Sequence, residues 1–170
     1  MAKKGQVSLY ALQKAAKPTI EEICDILLTR PELREGMTSL ITLSKELKMK
    51  PCWSHTNNWN CNYKGKRVVS YLVGMGDKQK QDWLKIKLHT AEKGDIDNFL
   101  QALPSETAIE CIDGMKCYGC GDCKPGRQYM ILGKKQYLCK RLCYQRINPT
   151  PKQFQLVATL IPARREYIKL

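Results

Sequence analysis

Six of the nine cysteines fall between positions 111 and 143: Cys111, Cys117, Cys120, Cys123, Cys139 and Cys143. Thiolates two or three residues apart can converge on one soft cation, so this stretch points to a metal site. Cys117-Tyr-Gly-Cys120-Gly121 has the form of a metal knuckle, in which glycine allows the tight turn. One register closes a tetrahedral zinc site with Cys117, Cys120, Cys139 and Cys143, leaving Cys111 and Cys123 over. Another uses Cys117, Cys120 and Cys123 with either Cys139 or Cys143, and spacing does not choose between them. The triplet Cys117-x-x-Cys120-x-x-Cys123 also has half of a bacterial ferredoxin pattern, which makes an iron–sulfur cluster the alternative, although Lys124-Pro125 stands where a further Cys-Pro would begin. Buried or redox-active thiols with no metal are the third reading. Four thiolates leave zinc no open position, so such a site is structural and not a Lewis acid. Lys116, Lys124, Arg127, Lys140 and Arg141 would offset its surplus negative charge.

A second constellation runs from Cys52 to Asn60, where two tryptophans alternate with hydrogen-bonding side chains. Ligand pockets combine apolar walls with a few polar groups in this way, which makes Trp53, His55, Asn57 and Trp59 candidate ligand-binding residues. A Trp/Asn-rich turn leading into a strand gives the same pattern with no ligand. Cys52 and His55 form a nucleophile and base only if folding joins them, and no third orienting residue is evident. His89 reads as a polar strand-end residue. Tyrosines interleaved with Arg127, Lys140, Arg141 and Arg146 suggest a basic aromatic face for single-stranded nucleic acid, with Arg127, Lys140 and Arg141 as its contacts.

Charge supports both readings. The net formal charge is +13, which favours phosphates, nucleic acid or anionic lipid. Residues 111 to 170 hold twelve lysines and arginines against three acids, whereas residues 51 to 110 hold eight against seven. The positive excess therefore travels with the cysteines. No run approaches the roughly 18 apolar residues of a membrane span, and no apolar stretch near the start suggests a signal peptide. The expectation is a cytoplasmic protein with reduced or metal-bound cysteines and no membrane partner.

These groups need a scaffold, and 170 residues suit one domain with its own core. Residues 1–17 read as a tail or a loosely docked helix, and residues 18–170 as a single domain with 111–146 as its metal-binding subregion. Thr19 and Glu22 form a capping-box pattern before a helix that Pro31 ends, and a second helix spans about 36–48. Alternation then predicts a strand through Trp59, Cys61 and Tyr63, a turn at 63–66, a strand over 67–73, and a third over 83–88. Residues 74–81 read as a polar loop. Asp95 caps a short helix, Ala108–Ile112 reads as a fourth strand, and residues 127–131 and 135–139 flank a turn as a hairpin. Thr150, Pro151 and Gln153 start the last helix, which Pro162 should kink or end.

The segment Trp59-x-x-x-Tyr63-Lys-Gly-Lys-Arg-Val-Val, the later Trp83-Leu-x-Ile-x-Leu88, and the closing Cys-x-x-Cys-x-x-Cys, Arg-x5-Gly-Lys and Cys pattern resemble small bacterial domain-of-unknown-function proteins, including ones from anaerobes. The resemblance spans about residues 20 to 165 and implies an α+β fold, with no activity to transfer. The expected fold is thus α+β: an antiparallel sheet with packed helices and a cysteine-rich C-terminal hairpin holding zinc. The expected function is a non-enzymatic small-ligand-binding protein. Nucleic-acid binding and thiol redox or iron–sulfur chemistry are the alternatives.

Overall fold

Strand β4 (Asp82–His89) shows how the scaffold is built: Leu84, Ile86 and Leu88 are fully buried, while Trp83, Lys85, Lys87 and His89 alternate with them on the other side. A sheet with one packed face and one open face requires that period of two. The computed structural model describes residues 8–75, 82–90, 95–116, 126–139 and 141–169. Cys117, Cys120, Cys123 and Lys140 lie outside them, as does most of the expected 74–81 loop.

The sheet has five strands, adding β1 (Cys52–His55), β2 (Asn58–Tyr63), β3 (Lys66–Met75) and β7 (Cys143–Ile147) in the order β1-β2-β3-β4-β7. Every pairing is antiparallel. A two-residue turn with Lys64 and Gly65 at positive φ joins β2 to β3, as the Tyr63-Lys-Gly-Lys66 turn predicts. The packed face carries Trp59, Tyr71, Ile86, Leu88 and Tyr144, all without solvent exposure. At about 25 cal/mol per Å2 of apolar surface buried, each such side chain contributes on the order of 2 kcal/mol before entropy is charged against it.

Helices α2 (Ile20–Leu27), α3 (Pro31–Glu46) and α6 (Pro151–Tyr167) cover this face over β3 and β4. The Thr19–Glu22 and Thr150–Gln153 capping boxes both form. Pro31 does not end the first helix; it occupies the opening turn of α3, where its missing N–H costs no helical hydrogen bond, so α3 begins five residues before the expected start. Helix α6 continues through Pro162 to Tyr167, with Leu160, Ile161 and Arg164 buried on either side of the proline.

The expected strand at 108–112 is instead part of a helix, α5 (Ser105–Met115), preceded by the short α4 (Ile96–Gln101). Ala108, Cys111, Ile112 and Met115 are spaced at three and four residues and form its buried stripe. Five residues were too short a window to separate that period from an alternating one. Asp95 makes no side-chain cap for α4; its carboxylate accepts the Tyr167 hydroxyl. The hairpin forms from β5 (Arg127–Ile131) and β6 (Lys134–Leu138), with the turn at Leu132 and Gly133. It is a separate two-stranded sheet, and of the described cysteines only Cys139 stands at its end. Strands β1 and β7 have no counterpart in the sequence reading.

Candidate functional site on the open face of the sheet

The segment from Trp53 to Trp59 is occupied by the chain itself. Helix α1 (Leu9–Ala16) lies against β1, and its Gln13 is the joint. Gln13 Oε1 accepts from the Asn57 backbone amide at 2.8 Å and from Trp53 Nε1 at 3.3 Å, while its Nε2 donates to Asn57 Oδ1. Tyr10 packs on Trp53 and His55. Trp59 is wholly buried, with its indole N–H donated to the Pro18 carbonyl at 3.0 Å. The aromatic and amide groups read as pocket walls hold the N-terminal helix in place. Cys52 and His55 are both exposed, and no hydrogen bond joins them.

Polar groups converge instead on the sheet's open face. Pairing registers align Asn60, Ser70, Lys87 and Gln145 as one rung across β2, β3, β4 and β7. The next rung brings Asn58, Leu72 and Lys85 together, and the rung on the other side pairs His89 with Cys143. A bulge between the Cys61 and Asn62 pairings leaves Val68 without a cross-strand partner on β2, and Val68 and Val69 are both buried. The bulge turns Arg67 toward Ser70, a recurrent use of bulges beside sites. A cavity of about 430 Å3 results, lined by Arg67, Lys85, Lys87 and Arg141 on its charged side. Cys139 and Cys143 lie on its wall, and none of its described lining residues is a carboxylate.

A directed hydrogen-bond chain crosses the cavity. Ser70 Oγ donates to Asn60 Oδ1 at 2.7 Å and stands 3.1 Å from His89 Nε2. With the serine hydrogen committed to Asn60, His89 Nε2 carries the proton that Ser70 accepts, and Nδ1 keeps its lone pair. That lone pair faces Cys143 Sγ at 3.6 Å. Burial, followed by the charges of Arg67, Lys87 and Arg164, lowers the His89 pKa to about 4. Burial, with the neighbouring Cys139, pushes Cys143 up to about 11, against the opposing pull of Lys87, Arg141 and Arg67. The pair is therefore a neutral imidazole beside a neutral thiol.

Among the metal candidates, Cys139 and Cys143 share this cavity, whereas Cys111 is buried in α5 with its thiol pushed up to about 12 by desolvation. The Cys139 amide donates to the Met115 carbonyl at 2.8 Å, and Lys116 bridges Leu138. Cys117 is the next residue in the chain. No group of three or more His, Cys, Asp or Glu is gathered as a metal site among the described residues. Arg141 joins the cavity, but Arg127 sits on β5 in the separate hairpin.

A larger groove of about 760 Å3 lies between α5, the hairpin and α6. Both of its carboxylates are paired within it, Glu110 with Lys152 and Asp113 with Lys116 and Arg146, and Lys134 also lines it. Among the described residues no helix is long and apolar enough to cross a membrane. The chain matches no family model, no curated protein and no solved structure.

Sequence reasoning reads His89 only as a polar strand-end residue and gives no site role to Ser70, Asn60, Arg67 or Lys87. Alternation along β4 was visible and placed Lys87 and His89 on the solvated side. That β7 would close the other flank with Cys143 was not visible, because β4 and β7 are more than fifty residues apart.

Proposed function

We propose that this protein is a non-enzymatic binding protein for a small anionic ligand, seated on the open face of the sheet. The observation that carries this reading is the convergence of Arg67 and Lys87 on a cavity whose described lining has no acid. At an effective dielectric near 20, one unit charge 4 Å from another contributes about 4 kcal/mol of gross attraction, so two cations favour a multiply charged anion such as a phosphate ester. Ser70, Gln145 and Asn58 supply hydrogen-bonding groups around them. Asn58 Oδ1 is buried without a partner, which suits a ligand hydroxyl or amine. A volume near 430 Å3 falls within the usual range for small-molecule sites.

Zinc belongs to this reading as a structural ion held by Cys139 and Cys143 with cysteines from the 117, 120 and 123 set. The pairing of Cys139 with Met115, two residues before Cys117, supports that assignment. An iron–sulfur cluster in the same place would colour the protein brown, so elemental analysis with an absorption spectrum separates the two. Isothermal titration with inorganic phosphate, adenosine monophosphate, citrate and neutral adenosine tests the ligand reading. The anions should bind and adenosine should not, and Arg67→Ala with Lys87→Ala should lower anion affinity at least tenfold. Equal affinity for adenosine and its monophosphate removes the proposal.

The place of Arg141 in the same cavity favours nucleic acid as the second reading. That reading requires affinity for single-stranded RNA or DNA to fall steeply with salt and to weaken on charge reversal at Arg127, Lys140 and Arg141.

A further inference from the structure

We infer that the ligand of the open-face cavity is a phosphorylated polyol, such as a sugar phosphate, with its phosphate between Arg67 and Lys87 and its hydroxyl-bearing body running toward Asn58. The inference rests on the reading of this cavity as an anion site and adds what the anion is attached to. The strand registers give the layout. Lys87 shares a rung with Ser70 and Gln145; Arg67 lies on one side of that rung, past the bulge, and Asn58 with Leu72 forms the next rung on the other side. Rungs on one face are two residues apart, roughly 7 Å. The step from the cations to Asn58 therefore suits the body of a pentose or hexose.

Asn58 decides between the groups that body could carry. Its Oδ1 is buried with no hydrogen-bond partner, and a buried acceptor left unmatched calls for a donor from the ligand. An amine would bring positive charge into a cavity that Arg67 and Lys87 line with no described carboxylate. A hydroxyl is neutral, and because it both donates and accepts it meets an amide in either orientation. The rest of the described lining agrees: Leu72 is its one aliphatic side chain, and no Phe, Tyr or Trp offers a face on which a nucleobase could stack. Small-molecule pockets are mostly apolar with a few polar groups, whereas here Asn58, Ser70 and Gln145 accompany the cations. A phosphate monoester brings up to two negative charges to the two cations, and Arg67 can hold it through paired N–H donors.

Isothermal titration of the full chain with inorganic phosphate, ribose 5-phosphate, adenosine monophosphate and an oligouridylate provides the test. Ribose 5-phosphate should bind at least tenfold more tightly than inorganic phosphate, and the adenine of the monophosphate should change that affinity by less than threefold. Asn58→Ala should cut the advantage of ribose 5-phosphate to less than threefold while its phosphate affinity stays within twofold of the wild type, which also shows that the variant is folded. The wild-type series decides without the variant. Equal affinity for ribose 5-phosphate and phosphate overturns the inference and leaves the anion site standing, as does a full tenfold preference kept by Asn58→Ala. Adenosine monophosphate binding at least tenfold more tightly than ribose 5-phosphate overturns it in favour of a nucleotide, and an oligouridylate binding more tightly than either overturns it in favour of nucleic acid. Binding of none of these anions by the wild type overturns both readings.

Discussion

Asp82 Oδ1 lies 2.9 Å from Arg30 Nε, and Asp82 Oδ2 accepts from the backbone amides of Thr29 and Arg30 at 2.7 and 3.2 Å. One carboxylate at the start of β4 therefore secures the connection between α2 and α3 and meets donors ahead of α3. The Asp82 side chain is 2% exposed and that of Arg30 32%. Burial raises the Asp82 pKa, but the hydrogen bonds from Arg30 and Thr29 and the Arg30 charge outweigh it, and the net shift is downward.

Because this pKa is lowered on folding, the stabilisation is present above the unfolded-state value near 4 and is lost as pH falls through the folded value. Thermal denaturation followed from pH 7 to pH 2 should show a loss of Tm below about pH 4 that is shallower in Asp82→Asn, which keeps only the part due to Glu22, Asp113 and Glu166. At pH 7, Asp82→Ala should cost about 3 kcal/mol, since it leaves buried donors and a partly buried cation unmatched. A parallel acid profile in Asp82→Asn would remove this assignment.

Gly114 lies on α5 against Tyr144 of β7, and a Cβ there would collide with the tyrosine ring. Tyr144 is wholly buried and has no room to yield. Gly114→Ala should therefore destabilise the fold by about 1–2 kcal/mol after the gain of about 1 kcal/mol in helix propensity. Urea denaturation checks this, and a more stable variant would show that α5 shifts without cost.

Gln13→Ala should release α1 while leaving the sheet folded. The expected signs are faster tryptic cleavage at Lys14 and Lys17 and a red shift of Trp53 fluorescence, with the main unfolding transition nearly unchanged. If cleavage keeps its wild-type rate, the Tyr10 contacts hold the helix without the glutamine.

Thiol reactivity should be sharply graded. Cys52 is exposed, whereas Cys24, Cys61 and Cys111 are buried, with desolvation pushing each thiol to about 12. Iodoacetamide at pH 8 should label Cys52 within minutes and leave the other three intact in native protein, as read by peptide mass spectrometry. Comparable labelling of Cys61 would contradict its place under the sheet.

Much of the scaffold was legible because its signals are local. The capping boxes at Thr19 and Thr150, the Lys64-Gly65 turn and the alternation in β4 depend on residues a few positions apart, and each forms as read. Helix α5 was misread because five residues carry too little periodicity to separate helix from strand. The Trp53–Trp59 segment reads either as a pocket wall or as a turn leading into a strand, because aromatic and amide groups look alike in sequence whether they face a ligand or Gln13.

The sequence by itself determined the helix starts, the open and packed faces of β4, the basic excess near the cysteines, and the thiol chemistry that spacing permits. Only the tertiary structure decided which polar residues meet. Ser70 and His89 are nineteen residues apart and His89 and Cys143 fifty-four, and their contacts arise from the registers of β3, β4 and β7. Register is set by burying one face of every strand together, a condition on the whole sheet that no short stretch contains.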